Sequence, residues 1–126
     1  MAASLLLDSN IVVMLDQHSP RLRADLIDQI RTCPQVYVSA VTAWELSIKQ
    51  SIGKLTLTKR VSDHIKDNNL TELPISIEHG EAVRALPLIH GDPFDRLLIA
   101  QAMVERFVLV TTDRLIARYG VSVILA

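Results

Sequence analysis

Asp92-Pro93-Phe94-Asp95-Arg96-Leu97-Leu98-Ile99-Ala100-Gln101-Ala102 is the stretch whose reading decides the fold. Asp92 has the side chain of an N-cap, and Pro93 suits the first helical position, where its missing N–H costs nothing. Behind them Leu97, Leu98, Ile99, Ala102, Met103 and Val104 are apolar nearly all round, which predicts a buried helix reaching about Arg106. Asp95 falls three residues after the cap, still in the first turn. As an ordinary helix residue it only complements the dipole, worth about 0.3–1 kcal/mol. A carboxylate at the mouth of a buried helix is equally placed to hold a cation or to move a proton.

Short apolar runs flank that helix. Leu5-Leu6-Leu7, Val36-Tyr37-Val38, Phe107-Val108-Leu109-Val110 and Val121 to Leu125 read as buried strands, and Leu73-Pro74-Ile75 as a short extended segment. Between them helices are expected over 9–16, from Ser19-Pro20 to about Thr32, from a Ser39 or Thr42 cap to Gly53, from Thr58, over 77–86, and over 113–119. Strands alternating with helices predict an α/β fold with a mostly parallel sheet covered on both faces. The 126 residues suit one domain over 1–126.

Composition narrows the class. Hydrophobic residues make up 49% and aromatics 4%, so the core must be aliphatic. Lys plus Arg is 13 against 14 Asp plus Glu, a net charge of −1, which does not indicate a strongly cationic binder of nucleic-acid backbone. Cys33 is the only cysteine, which excludes an intrachain disulfide and a cysteine metal cluster and suits a reducing cytoplasm. The N-terminus lacks a basic lead, and its apolar run is too short for a signal peptide or membrane span, so a soluble cytoplasmic protein with no membrane contact is expected.

Four acids stand out: Asp8, Glu45, Asp95 and Asp113. Asp8 follows the first strand directly, and Asp113 follows Thr111-Thr112 after the strand at 107–110. In parallel sheets, sites form beyond the carboxyl ends of strands near the switch in strand order. Each acid also has a plain structural reading. Asp8 and Asp113 would each cap the helix that follows, and Thr42-Ala43-Trp44-Glu45 has the form of a capping box. If Ser39 caps instead, Glu45 lies on the buried side of its helix, where an unpaired carboxylate is costly. Crowded carboxylates repel one another unless a divalent cation neutralises them, and an all-oxygen set suits Mg2+ or Mn2+ rather than zinc.

The order of these words resembles the PIN-domain ribonucleases, specifically the toxin members of VapBC-type toxin–antitoxin pairs. Leu6-Leu7-Asp8-Ser9-Asn10, Ser39 to Leu46, Asp92 to Ala102 and Leu109-Val110-Thr111-Thr112-Asp113 look like the family's four motifs, and together they cover nearly the whole chain. The resemblance implies a three-layer α/β/α sandwich with a central, mostly parallel sheet of four to five strands. It implies Mg2+- or Mn2+-dependent hydrolysis of RNA phosphodiester bonds at Asp8, Glu45, Asp95 and Asp113, with Asp8 and Asp95 as the main direct ligands. Asp113 would ligate directly or through water, and Glu45 would hold or orient a water. Thr111 or Thr112 would hydrogen-bond a carboxylate or the phosphate, and Arg96 would contact phosphate or pair with Asp92. Asn10 stands where many relatives carry His, so a proton-transfer role at that position lapses. The implied partners are RNA, a small antitoxin docked on the helices at 20–32 and 40–70, and a second copy of the chain. DNA binding by this chain alone is not expected.

Other residues read more plainly. His18, His64, His79 and His90 lack ligand spacing and read as surface or loop residues. Trp44 reads as core or interface rather than as a base-stacking platform. Lys49, Lys54, Lys59 and Arg60 read as a solvated basic face with some capacity to touch RNA backbone. Two competing classes remain. A phosphatase of the haloacid dehalogenase type needs a second Asp two residues after the first, and Asp8-Ser9-Asn10 lacks it. A catalytically silent interaction module would have no need of all four acids.

Overall fold

The structure, a computed structural model, describes residues 3–126. Its strands are β1 (Leu5–Leu7), β2 (Val36–Ser39), β3 (Thr71–Leu73), β4 (Val108–Thr111) and β5 (Val123–Leu125). They form one all-parallel sheet in the order β3-β2-β1-β4-β5. Its helices are α1 (Ser9–Asp16), α2 (Ala24–Thr32), α3 (Ala40–Ser51), α4 (Val61–Asp67), α5 (Ile77–Ala82) and α6 (Pro93–Glu105), with 3-10 turns at Val83–Ala85 and Ile116–Tyr119. Among the described residues no helix is long and apolar enough to cross a membrane.

The three leucines of β1 explain the layers. Successive side chains on a strand point to opposite faces. Leu5 and Leu7 join a cluster with Ile11, Leu26, Ile30 and Val61 from α1, α2 and α4. Leu6 joins the other cluster, with Leu98, Ile99, Ala100 and Ala102 of α6. A strand buried on both faces must be apolar throughout, and β1 is. The sheet is therefore filled from both sides, the three-layer α/β/α sandwich that the sequence led us to expect.

Several boundaries differ from expectation, for local reasons. α2 begins at Ala24, because Ser19 closes a turn, accepting Leu22 N–H on its carbonyl and Arg21 N–H on its hydroxyl. Ser39, not Thr42, caps α3; its Oγ accepts the Val41 N–H at 3.0 Å, and the helix stops before Gly53 at φ 75°. α4 starts at Val61 rather than Thr58, because Thr58 N–H and Oγ are taken by the Asp16 carboxylate. β3 lies just before Pro74, which has no N–H for a ladder. The segments at 83–86 and 113–119 yield only short 3-10 turns.

Candidate active site at the carboxyl edge of the sheet

The chain runs from β1 outward through β2 and β3, then crosses back to place β4 on the other side of β1. The switch in strand order therefore lies between β1 and β4, and loops leaving it diverge to open a crevice. Asp8 leaves β1 and Thr111 ends β4, both at that edge. Ser39 ends β2 there and starts α3, which carries Glu45 one and a half turns in. α6 points its N-terminus at the same edge. Asp92 caps it, accepting the N–H of Phe94 at 2.8 Å and of Asp95 at 3.3 Å.

Threonine and histidine tie these acids together. Thr111 Oγ1 donates to Asp8 Oδ2 at 2.7 Å and accepts the Asp113 N–H at 3.0 Å, so one hydroxyl joins the β1 and β4 loops. Asp8 also accepts the Ser9 N–H at 2.7 Å. His90 Nε2 lies 2.9 Å from Asp113 Oδ2 and 3.3 Å from Asp95 Oδ2. The Asp92 N–H points at His90 Nδ1 from 3.4 Å, which leaves Nε2 as the nitrogen that carries a proton toward the two carboxylates. Glu45 is buried and pairs with Lys49 Nζ at 2.9 Å, one turn along α3.

The electrostatics couple Asp8, Glu45, Asp92 and Asp95 to one another, and His90 to Asp113. Burial raises Asp8, and Glu45 raises it further against the opposing hydrogen bonds from Thr111 and Ser9. Asp95 is pushed up to about 7 by burial, then by the charges of Asp8, Asp92 and Glu45, with His90 opposing. His90 is raised, chiefly by its hydrogen bond to Asp113. Lys49 is raised by Glu45 first and also by Asp92 and Asp95. A carboxylate that holds its proton near neutral pH lacks a sufficient counter-charge. His90, Asp95 and Asp113 each offer a ligand atom within 4.8 Å of the others. Two carboxylate oxygens and one imidazole nitrogen, with Asp8 and Glu45 adding negative charge, fit a divalent cation.

Three expectations need correction. His90 is not a bystander but the bridge between Asp95 and Asp113. His64 and His79 are buried, paired with Asp16 at 2.7 Å and Glu105 at 2.7 Å, and only His18 is exposed. Arg96 pairs neither with Asp92 nor points to a phosphate site. Its guanidinium donates to the carbonyls of Pro87 (2.8 Å), Val83 (3.4 Å) and Leu86 (3.5 Å), clamping the segment that leads to His90. Arg96→Lys should therefore cost about 1–2 kcal/mol in a thermal melt, because one ammonium cannot serve three carbonyls in that fork geometry; an unchanged melt would remove the clamp. Trp44 is not core, at 57% exposure. Asn10 and Thr112 are both exposed and touch each other at 3.5 Å, outside the carboxylate cluster.

A parallel α/β sheet with carboxylates gathered at its switch point defines a class of acidic-site α/β domains. Within it the particular family is shown by sequence: the PIN domain family profile matches residues 5–121, and the chain belongs to that family. Among curated proteins no sequence matches. Among solved structures, the chain is similar to VapBC2 from Rickettsia felis bound to a DNA fragment from their promoter, with 17% identity, 96% of this chain and 97% of that one covered, and a TM-score of 0.70. It is similar to DNA-bound VapBC from Salmonella typhimurium, with 15% identity, 98% of both chains covered and a TM-score of 0.71. It is also similar to a toxin–antitoxin complex from Klebsiella pneumoniae, with 20% identity, 87% of both covered and a TM-score of 0.60. At these identities the likeness is one of fold.

Proposed function

We propose that this chain is a Mg2+- or Mn2+-dependent endoribonuclease that serves as the toxin of a toxin–antitoxin pair. The observation that carries the reading is the gathering of Asp8, Asp95 and Asp113 at the switch point, with Thr111 bridging Asp8 to the Asp113 backbone and His90 lying between Asp95 and Asp113. Membership of the PIN family and the fold shared with toxin–antitoxin complexes support the rest.

Asp8, Asp95 and Asp113 would hold the ion, with Glu45 orienting water beside it. When bound, the divalent cation lowers the pKa of a water and offsets the charge that builds on the phosphate. The chain's own groups prepare the place. Thr111 fixes the rotamer of Asp8 while holding the Asp113 backbone. His90 keeps Asp95 and Asp113 together, and Tyr119 steadies its loop by accepting the His90 N–H at 2.6 Å. Lys49 pairs with the buried Glu45 at 2.9 Å and holds its carboxylate in place. Thr112 and Asn10 flank the cluster and are candidates for contact with RNA.

The same reading assigns a small antitoxin to the face made by the helices at 20–32 and 40–70, which are α2, α3 and α4. A cavity of about 200 Å³ opens there, lined by Met14, Leu22, Ile27 and Asn68 among others. It also carries a homodimer and a cytoplasmic setting.

The test is cleavage of a defined RNA by the purified protein. We expect cutting in Mg2+ or Mn2+, none in EDTA, and recovery when either ion is restored. Equal cutting in EDTA would overturn the metal site. Phosphate release from small esters with intact RNA would favour a phosphatase, and neither activity would favour the silent module.

A further inference from the structure

Trp44 is the only tryptophan of the chain, and it is 57% exposed. It precedes Glu45 on α3, while Phe94 precedes Asp95 on α6. The two rings meet edge-on, 4.9 Å between centroids and 75° between planes. Phe94 is backed by the buried cluster beneath α6, so it braces the indole from behind. Lys49, half-exposed and paired with Glu45 at 2.9 Å, adds positive charge further along α3. An exposed, braced aromatic is how proteins hold an unpaired base. A duplex keeps its bases stacked on each other and gives such a ring nothing to cover. The carboxylates themselves repel a nucleic acid, which makes an uncharged contact at this rim valuable.

We propose that Trp44, braced by Phe94, stacks an unpaired base of the RNA strand beside the carboxylates. The inference deepens the nuclease reading and rests on it for the identity of the strand. The rival occupant is a second copy of the chain. Trp44, Ile48 and Ile52 follow one another at helical spacing and are exposed by 57%, 38% and 58%. The position beside Glu45 and Asp95 and the Phe94 brace favour the strand, because an apolar dimer face needs neither.

Trp44 reports on itself by fluorescence. The experiment titrates the protein, with Ca2+ in place of Mg2+ to slow cutting, with a 5′-labelled RNA of about 12 nucleotides and with the same RNA annealed to its complement. We expect saturable quenching of Trp44 by the single strand and little by the duplex. In fluorescence polarisation Trp44→Ala should bind the single strand about 5- to 150-fold more weakly, and Trp44→Phe should recover most of the loss. Circular dichroism melts of both variants check that they fold. Unchanged emission at saturation, or Trp44→Ala binding like the wild type, overturns the proposal. So does an emission shift with protein concentration alone together with a Trp44→Ala variant that sediments as a monomer while the wild type is a dimer. Metal-dependent cutting with no stacking leaves the nuclease reading standing alone; stacking without cutting does the reverse.

Discussion

Asp95→Asn is expected to abolish RNA cleavage and, at pH 8, to make the protein more stable. The loss of activity should be on the order of 10²-fold or more, since it removes one of the charges that would hold the cation. The gain in stability comes from the same charge. In the fold, Asp95 keeps its proton up to about pH 7, well above its ordinary 3.8. The folded state thus binds this proton more tightly than the unfolded state. Its contribution to stability is full below about pH 4 and is lost as pH rises through 7. Asparagine carries no charge at any pH and keeps the N–H bond to Asp92. The variant should therefore gain about 1–3 kcal/mol at pH 8, a few degrees in melting temperature, and little at pH 5. Mg2+ should reverse the order by stabilising the wild type alone. Full cleavage by the variant, or a lower melting point at pH 8, would refute the assignment.

Asp16→Ala should be the costliest single change away from the pocket. Asp16 has a fully buried side chain at the end of α1. Its carboxylate accepts the Thr58 N–H (2.9 Å), Thr58 Oγ1 (2.8 Å), the Lys59 N–H (3.2 Å) and His64 Nε2 (2.7 Å). One side chain thus fastens the 52–60 loop and α4 to α1. Truncation leaves several donors unpaired, and we expect a loss of about 2–4 kcal/mol, or roughly 10 °C in melting temperature. Burial alone would raise this carboxyl, but the hydrogen bonds from Thr58, His64 and Lys59 bring it down to about 2. The sign is opposite to that of Asp95. Stability from Asp16 is present above about pH 4 and is lost as pH falls toward 2. Melts between pH 2 and 6 should show this acid limb in the wild type and a flatter one in Asp16→Asn. A limb that does not change would assign acid lability to other groups.

The candidate site was legible in part because its acids fall at element boundaries. Asp8 after β1, Asp95 in the first turn of α6 and Asp113 after β4 follow from where apolar runs stop. Glu45 was legible as a carboxylate on a buried helix face, and its burial now makes that reading firm. The structural and chemical readings turned out to coexist. Asp8 caps α1, and Asp113 accepts the Leu115 N–H at 2.9 Å, yet both face the pocket. His90 was illegible because its partners are 5 and 23 residues away, and no helical or strand spacing relates them. Gln101 was missed for the same reason. It is fully buried within an apolar helix, joined to Ser39, the Pro74 carbonyl and His79.

By itself the sequence determined the strand–helix alternation, the aliphatic core and which carboxylates lie at strand ends and helix mouths. These are consequences of periodicity, capping and burial, which act over a few residues. Only the tertiary structure decided that β4 returns beside β1, and with it every long-range contact of the site. The Thr111 bridge to Asp8, the His90 bridge to Asp113 and the aromatic pair of Trp44 and Phe94 join residues 23 to 103 positions apart. Such pairs are set by how layers pack, not by any local preference. The segment Asp92 to Ala102 shows both. Its own residues start a buried helix, and its neighbours across the fold push the Asp95 carboxyl up to about 7.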